Sequence, residues 1–277
     1  MDNTSDQLAL HRRETASSFV TGDGVRIAYE VDGAHNRPTL ILANSIGTTF
    51  HMWDGQIGEL SRHFRVVRYD FRGHGGSAVP PGAYSDGRLG RDVIELMDHL
   101  AIERAHFLGL SLGGYVGQWL AIHAPERIDR LILSNTSAYL GPAHYWDEAI
   151  KSILAAEDMK ETAENFLRNW FPHAMFSTDL PTIRKFREML LNTARQGIAG
   201  NWAVVRDSDM RRTIALIDAP TLVIAGQFDT ITTKSMAEDI ARSIPGTQLK
   251  ILPCVHLPNI ELPAEFLNEV LTFLLEA

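Results

Sequence analysis

Gly109-Leu110-Ser111-Leu112-Gly113 is the stretch whose reading decides the fold of this chain. It fits the G-x-S-x-G pattern of a nucleophile elbow, a tight strand-to-helix turn that lifts one serine above a sheet. Ala105-His106-Phe107-Leu108 before it reads as a short buried strand, and Gly114 to His123 after it as a helix that begins abruptly. A side chain at 109 or 113 is expected to collide where the strand and helix backbones approach, while Ser111 is held in a strained conformation. Glycine-rich turns of this kind also bind phosphate, so the five residues alone leave two readings open.

Outward from the elbow, the flanking segments supply the context that the motif requires. Pro38 to Ala43 is a continuous apolar run, as expected of a strand covered on both faces, and Arg65 to Asp70, Leu131 to Asn135, Thr221 to Gly226 and Leu249 to Leu252 read as further strands. Phe19 to Val31 alternates around Gly22-Asp23-Gly24, a hairpin signal. Helices are expected at about Trp53 to His63, at Arg88 to Leu100, where Leu89, Val93, Leu96, Met97 and Leu100 share one face, and at about Ala264 to Leu275. Strands alternating with helices predict an α/β fold: a mostly parallel, eight-stranded sheet with helices on both faces. Ligands then belong at the carboxyl ends of the strands.

The alternation stops between positions 137 and 214. Trp146, Ile150, Ile153 and Leu154, then Phe166, Leu167 and Trp170, then Ile183, Phe186, Met189 and Leu190 follow helical spacing. The chain therefore divides into a core, 19–136 and 215–277, and a helical lid, 137–214, over the strand ends. Residues 1–18, polar and charged with no apolar stretch, read as a flexible N-terminal extension and not as a signal peptide or membrane span.

The 277 residues are 45% hydrophobic and 22% charged, enough for one large soluble core with an inserted lobe. A single cysteine, Cys254, excludes an internal disulfide and a cysteine-rich metal site, and fits a cytoplasmic protein. A net charge of -8 with no long Lys/Arg run argues against nucleic acid as a partner. No P-loop, dinucleotide fingerprint or metal-spaced His/Cys group is present, so the reading calls for no cofactor and no metal.

A serine hydroxyl is a weak nucleophile and needs a base within reach, oriented by an acid. The chain order Ser, Asp, His is met by Ser111, Asp229 beyond the strand ending at Gly226, and His256 beyond the strand ending at Leu252. Asp70 competes for the acid's role, but arginine and backbone donors of its glycine-rich loop would more simply satisfy it. Position 135, another place for the acid, holds Asn135. The oxyanion hole is expected from the backbone N–H groups of Leu112 and Ile46.

With these residues in place, the chain resembles the α/β-hydrolase superfamily and, within it, bacterial 3-oxoadipate enol-lactonases of the β-ketoadipate pathway. The resemblance rests on Leu42-Ala43-Asn44-Ser45-Ile46-Gly47-Thr48-Thr49 with His51-Met52-Trp53-Asp54, on Arg68-Tyr69-Asp70-Phe71-Arg72-Gly73-His74-Gly75, and on Gly109 to Gly114 through Gly117-Gln118-Trp119-Leu120. Arg206-Asp207-Ser208-Asp209 and His256-Leu257-Pro258-Asn259-Ile260-Glu261 add to it. It implies a small lactone or ester substrate carrying a carboxylate, opened through an acyl-enzyme in a pathway of aromatic catabolism. A lid cation is then needed, and Arg168, Arg195 and Arg206 are the candidates. Where the family has a small, cysteine-containing run, this chain has Gly200-Asn201-Trp202-Ala203, so Trp202 is expected to reshape the pocket. A related carboxylesterase, lactonase or carbon-carbon bond hydrolase, and a ligand-binding receptor of the same fold, are the rival readings.

Overall fold

The computed structural model describes residues 16–276, so most of the expected N-terminal extension lies outside the described residues. The chain opens with β1 (Ser17–Val20), which begins inside the segment assigned to that extension, and β2 (Arg26–Asp32). There follow β3 (Thr39–Ala43), α1 (Asp54–Leu60), β4 (Arg65–Tyr69), α2 (Asp86–His99), β5 (Ala105–Leu110), α3 (Leu112–His123) and β6 (Ile128–Ser134). A run of helices comes next: α4 (Ala143–Ala155), α5 (Lys160–Trp170), α6 (Met175–Thr178), α7 (Leu180–Leu191) and α8 (Arg195–Asp207). The chain closes with β7 (Thr221–Gly226), α9 (Lys234–Ser243), β8 (Gln248–Leu252), α10 (Pro258–Glu261) and α11 (Pro263–Leu275).

Eight described strands form one sheet in the order β1-β2-β4-β3-β5-β6-β7-β8. β1 and β2 pair antiparallel, β2 pairs antiparallel with β4, and all pairs from β4 to β8 are parallel. The parallel pairing follows from the sequence. β3, β5 and β7 are almost wholly buried, and their side chains are apolar on both faces, which only a sheet covered by helices on both sides accommodates. Alternate residues of β5 accordingly feed opposite cores, Phe107 to one and Leu108 and Leu110 to the other.

The switch of strand order falls at β3-β5, so the loops after β3 and β5 open side by side at the carboxyl edge, where an α/β sheet leaves a crevice. Helices α4 to α8 stand between β6 and β7, and an isolated antiparallel bridge, Tyr139 to Asp209, joins the two ends of that segment. Its apolar faces enter both cores: Ile153 and Ile198 on one side of the sheet, Leu167, Trp170 and Phe186 on the other. No described helix is long and apolar enough to cross a membrane.

Candidate active site

Ser111 sits at the turn from β5 into α3 with φ 57° and ψ -113°, in a region that L-residues rarely occupy. The turn closes because its flanks carry no side chain. A Cβ on Gly109 would lie 2.1 Å from the Gly113 carbonyl oxygen, and one on Gly113 would lie 2.4 Å from that of Ala43. Ser134 O accepts from Ser111 N at 2.9 Å, and Thr136 Oγ1 donates to Ser111 O at 2.8 Å, so the strained residue is held from both sides. α3 begins at Leu112, two residues before the helix read from the sequence.

His256 follows β8 in the loop to α10, and its Nδ1–H donates to Asp229 Oδ2 at 2.7 Å. Asp229, in the loop after β7, also receives Thr232 Oγ1–H at 2.8 Å, Asn135 Nδ2–H at 3.0 Å and the backbone N–H groups of Ile231 and Thr232 at 2.9 and 3.1 Å. Burial opposes ionisation of this carboxyl, but His256 and the N–H donors outweigh it and hold its pKa below the ordinary value. Asn135 is thus more than a blank at the alternative acid position: its amide ties Asp229 to Val255 O, 3.0 Å away, beside the histidine. Ser111 and His256 line the same cavity, and no hydrogen bond joins the serine hydroxyl to the ring.

Asp70 lies elsewhere and is satisfied locally. Its carboxylate accepts Phe50 N–H at 2.7 Å and Gly76 N–H at 2.8 Å, and burial raises its pKa to about 6. The expectation of an arginine partner needs correction, because the nearby Arg72 guanidinium turns to Asp92 and Asp23. The backbone donors alone fill the space around Asp70.

The loop from Asn44 to Thr49 carries Ile46 to the rim of the cavity beside Leu112. Among the described residues neither Ile46 N–H nor Leu112 N–H donates to another protein group, although Ile46 and Leu112 are both buried. Leu112 is the first residue of α3, where backbone N–H groups point out of the helix unpaired. Two free donors beside a serine suit a developing oxyanion.

The cavity encloses about 840 Å³. α5 lines one side of it from Glu161 to Trp170. At the inner end His256 N–H donates to Trp170 O at 3.4 Å, and Glu161, nine residues back along the helix, is roughly 13 Å away at 1.5 Å per residue. Between them the wall is aromatic: Phe166 lies over Trp170 at 5.1 Å and stacks on Trp202 at 6.1 Å, and Trp202 meets Trp146 at 6.1 Å. Trp202 lines the cavity.

Of the three lid arginines, Arg168 lines the cavity, exposed and hydrogen-bonded to Asn165. Arg206 does not line it. Its guanidinium is paired with Asp207 at 2.7 Å and Asp147 at 3.0 Å. Arg195, the first residue of α8, is also absent from the lining. Position along the inserted segment is legible in sequence, while the direction of each arginine side chain is not. Against Arg168 the lining sets Glu157, Asp158 and Glu161.

The alpha/beta hydrolase fold family matches residues 38–173. Over 91% of its length the chain is 36% identical to 3-oxoadipate enol-lactonase 2 of Acinetobacter baylyi, of which it covers 94%. The chain belongs to the alpha/beta hydrolase fold family. It is an ester-hydrolysing enzyme of that fold. A crystallised hydrolase from Pseudomonas aeruginosa superposes with a TM-score of 0.93 at 58% identity, covering 95% of this chain and 99% of that one. The enol-lactonase from Burkholderia xenovorans superposes with a TM-score of 0.91 at 35% identity, covering 94% of this chain and 100% of that one. The likeness to both solved structures thus extends over nearly the whole length of the hydrolase.

Proposed function

We propose that this hydrolase opens 3-oxoadipate enol-lactone, or a close analogue, to the open-chain keto acid through an acyl-enzyme on Ser111. The observation that carries the reading is the convergence, in one cavity, of a serine on a strained elbow with the Asp229–His256 pair. His256 Nε2 takes the Ser111 proton as Oγ attacks the lactone carbonyl, and Asp229 holds Nδ1–H in the reactive tautomer and stabilises the cation that forms. The new oxyanion accepts from Ile46 N–H and Leu112 N–H. Collapse expels the ring oxygen as an enolate, which takes the proton held by His256 and tautomerises to the ketone, leaving the imidazole neutral again. That step makes return unfavourable. Water, deprotonated by His256, then attacks the ester and frees Ser111.

The lid role of α4 to α8 belongs to the same proposal: these helices wall the cavity and set what enters it, and Arg168 is the carboxylate anchor. Enol-lactonase relatives of near full-length coverage support this substrate. One observation favours a second reading, hydrolysis of neutral, larger esters. Three carboxylates face one guanidinium in a cavity near the upper end of the roughly 300–1,000 Å³ of small-molecule sites. Product analysis decides between them. Purified protein is given the enol-lactone and its uncharged methyl ester, with 3-oxoadipate or its ester followed by chromatography. A higher kcat/KM for the acid supports the enol-lactonase reading, and a higher value for the ester replaces it with the second.

A further inference from the structure

We infer that His74 is a positioning residue that aims the Ile46 N–H, and that the Arg72 carbonyl, which faces both His74 and the Asn201 amide, links it to the cavity wall. The inference rests on the reading of Ile46 as an oxyanion donor given above. The loop carrying Ile46 is irregular: the carbonyl of that peptide unit, Ser45 O, accepts Thr48 Oγ1–H at 2.7 Å and Thr48 N–H at 3.2 Å, and the peptide units on either side are held as well. Upstream, Ser45 N–H contacts Met52 Sδ at 3.3 Å. Downstream, Gly47 N–H donates to His74 Nε2 at 2.8 Å. Ile46 is bracketed by these two contacts. Gly47 itself is in the left-handed region, φ 80°, and a Cβ there would come within 2.7 Å of Leu190. The bond to His74 therefore fixes a backbone turn that few other residues could make.

The imidazole suits the task by its protonation state. To accept from Gly47, Nε2 must carry a lone pair, which puts the proton on Nδ1, and that side faces the Arg72 backbone. Burial pushes the His74 pKa down to about 4, so the ring stays neutral and Nε2 stays an acceptor at ordinary pH. Asn201, on α8, lies 3.4 Å from Nδ1 and donates to Arg72 O at 3.1 Å and Gly197 O at 2.9 Å. α8 reaches this position through a backbone-to-backbone approach: a Cβ on Gly197 would lie 2.0 Å from Gly73 O. Trp202, the next residue on the same helix, lines the cavity. A shift of α8 driven by a ligand against Trp202 would thus be felt at the ring that sets Ile46.

The test compares three variants at pH 7, each matched to wild type by circular dichroism. His74→Gln puts an amide oxygen near the place of Nε2, His74→Asn stops at the level of Nδ1, and His74→Phe removes both nitrogens. In His74→Asn and His74→Phe, kcat on an activated aryl ester is expected to fall roughly 10- to 100-fold with KM nearly unchanged, less than the ~10²–10³ of outright donor loss. A boronic acid that forms a tetrahedral adduct should lose affinity in step with kcat, while a ground-state product inhibitor keeps its affinity. His74→Gln should recover most of the lost rate. Should His74→Phe prove insoluble, the Gln-against-Asn contrast decides alone. Equal loss in Gln and Asn, or wild-type kcat in Asn, overturns the inference. Ser111→Ala assayed alongside separates the two levels: an active Ser111→Ala sinks the underlying site, whereas an inactive one with an unaffected His74→Asn sinks only the role of His74.

Discussion

The strand ends that carry Ser111, Asp229 and His256 and the helices that wall the cavity in front of them hold their side chains by opposite means. At the strand ends the geometry is tightly determined: Asp229 takes five hydrogen bonds, and the elbow closes only because Gly109 and Gly113 carry no Cβ. Along α5 the polar lining residues are exposed or half-buried, and Arg168 bonds only to its helical neighbour Asn165 among the described residues. Buried, multiply bonded groups keep one geometry, whereas exposed ones on a helix surface can be exchanged at small cost. The difference is what the proposed division predicts, with chemistry at the sheet edge and selectivity in the inserted helices.

The sharpest way to break that division is Ser111→Ala. It removes one oxygen and no core contact, so kcat should fall by several orders of magnitude with the melting temperature within a few degrees of wild type. Activity above a few per cent in the folded variant would take the chemistry away from the elbow. Asp229→Asn comes next. It keeps the shape but offers His256 the wrong tautomer partner, and a loss of about 10³- to 10⁴-fold in kcat with little change in KM is expected from steady-state kinetics. A near-normal enzyme would move the acid elsewhere, and Asp70 would be tried first. The smallest effect concerns the helices. Arg168→Met should lower kcat/KM about 10-fold or more for a carboxylate substrate and leave its uncharged ester nearly unaffected, since a charge-assisted contact is worth roughly 1.5–3 kcal/mol. Arg206→Met, whose parent side chain is held by two aspartates, should move neither. Equal losses for both substrates in Arg168→Met would remove the carboxylate anchor.

The elbow, the alternation of strands and helices, and the order Ser111, Asp229, His256 were legible because each depends on local chemistry. Glycine is needed where backbones touch, apolar runs where a strand is covered twice, and polar residues at strand ends. Two local features are less legible. α9 lies between Asp229 and β8, where the sequence reading places no helix, and β1 begins at Ser17 although residues 17 and 18 look like the polar segment before them. Edge strands carry weak patterns because their fit depends on context, and α9 is short, with only Ala237 and Ile240 fully buried on its apolar face.

What the sequence by itself determined about this protein is its set of strand-end residues and their sheet, since periodicity and glycine placement act within a few residues along the chain. Only the tertiary structure decided where Arg168, Arg195 and Arg206 point, that Asn135 and Thr232 support Asp229, and that His74 from the loop after β4 braces Gly47 from the loop after β3. Those pairings join segments up to 94 residues apart. Their direction is set by how helices pack on the sheet, and no spacing along a single chain encodes that rotation.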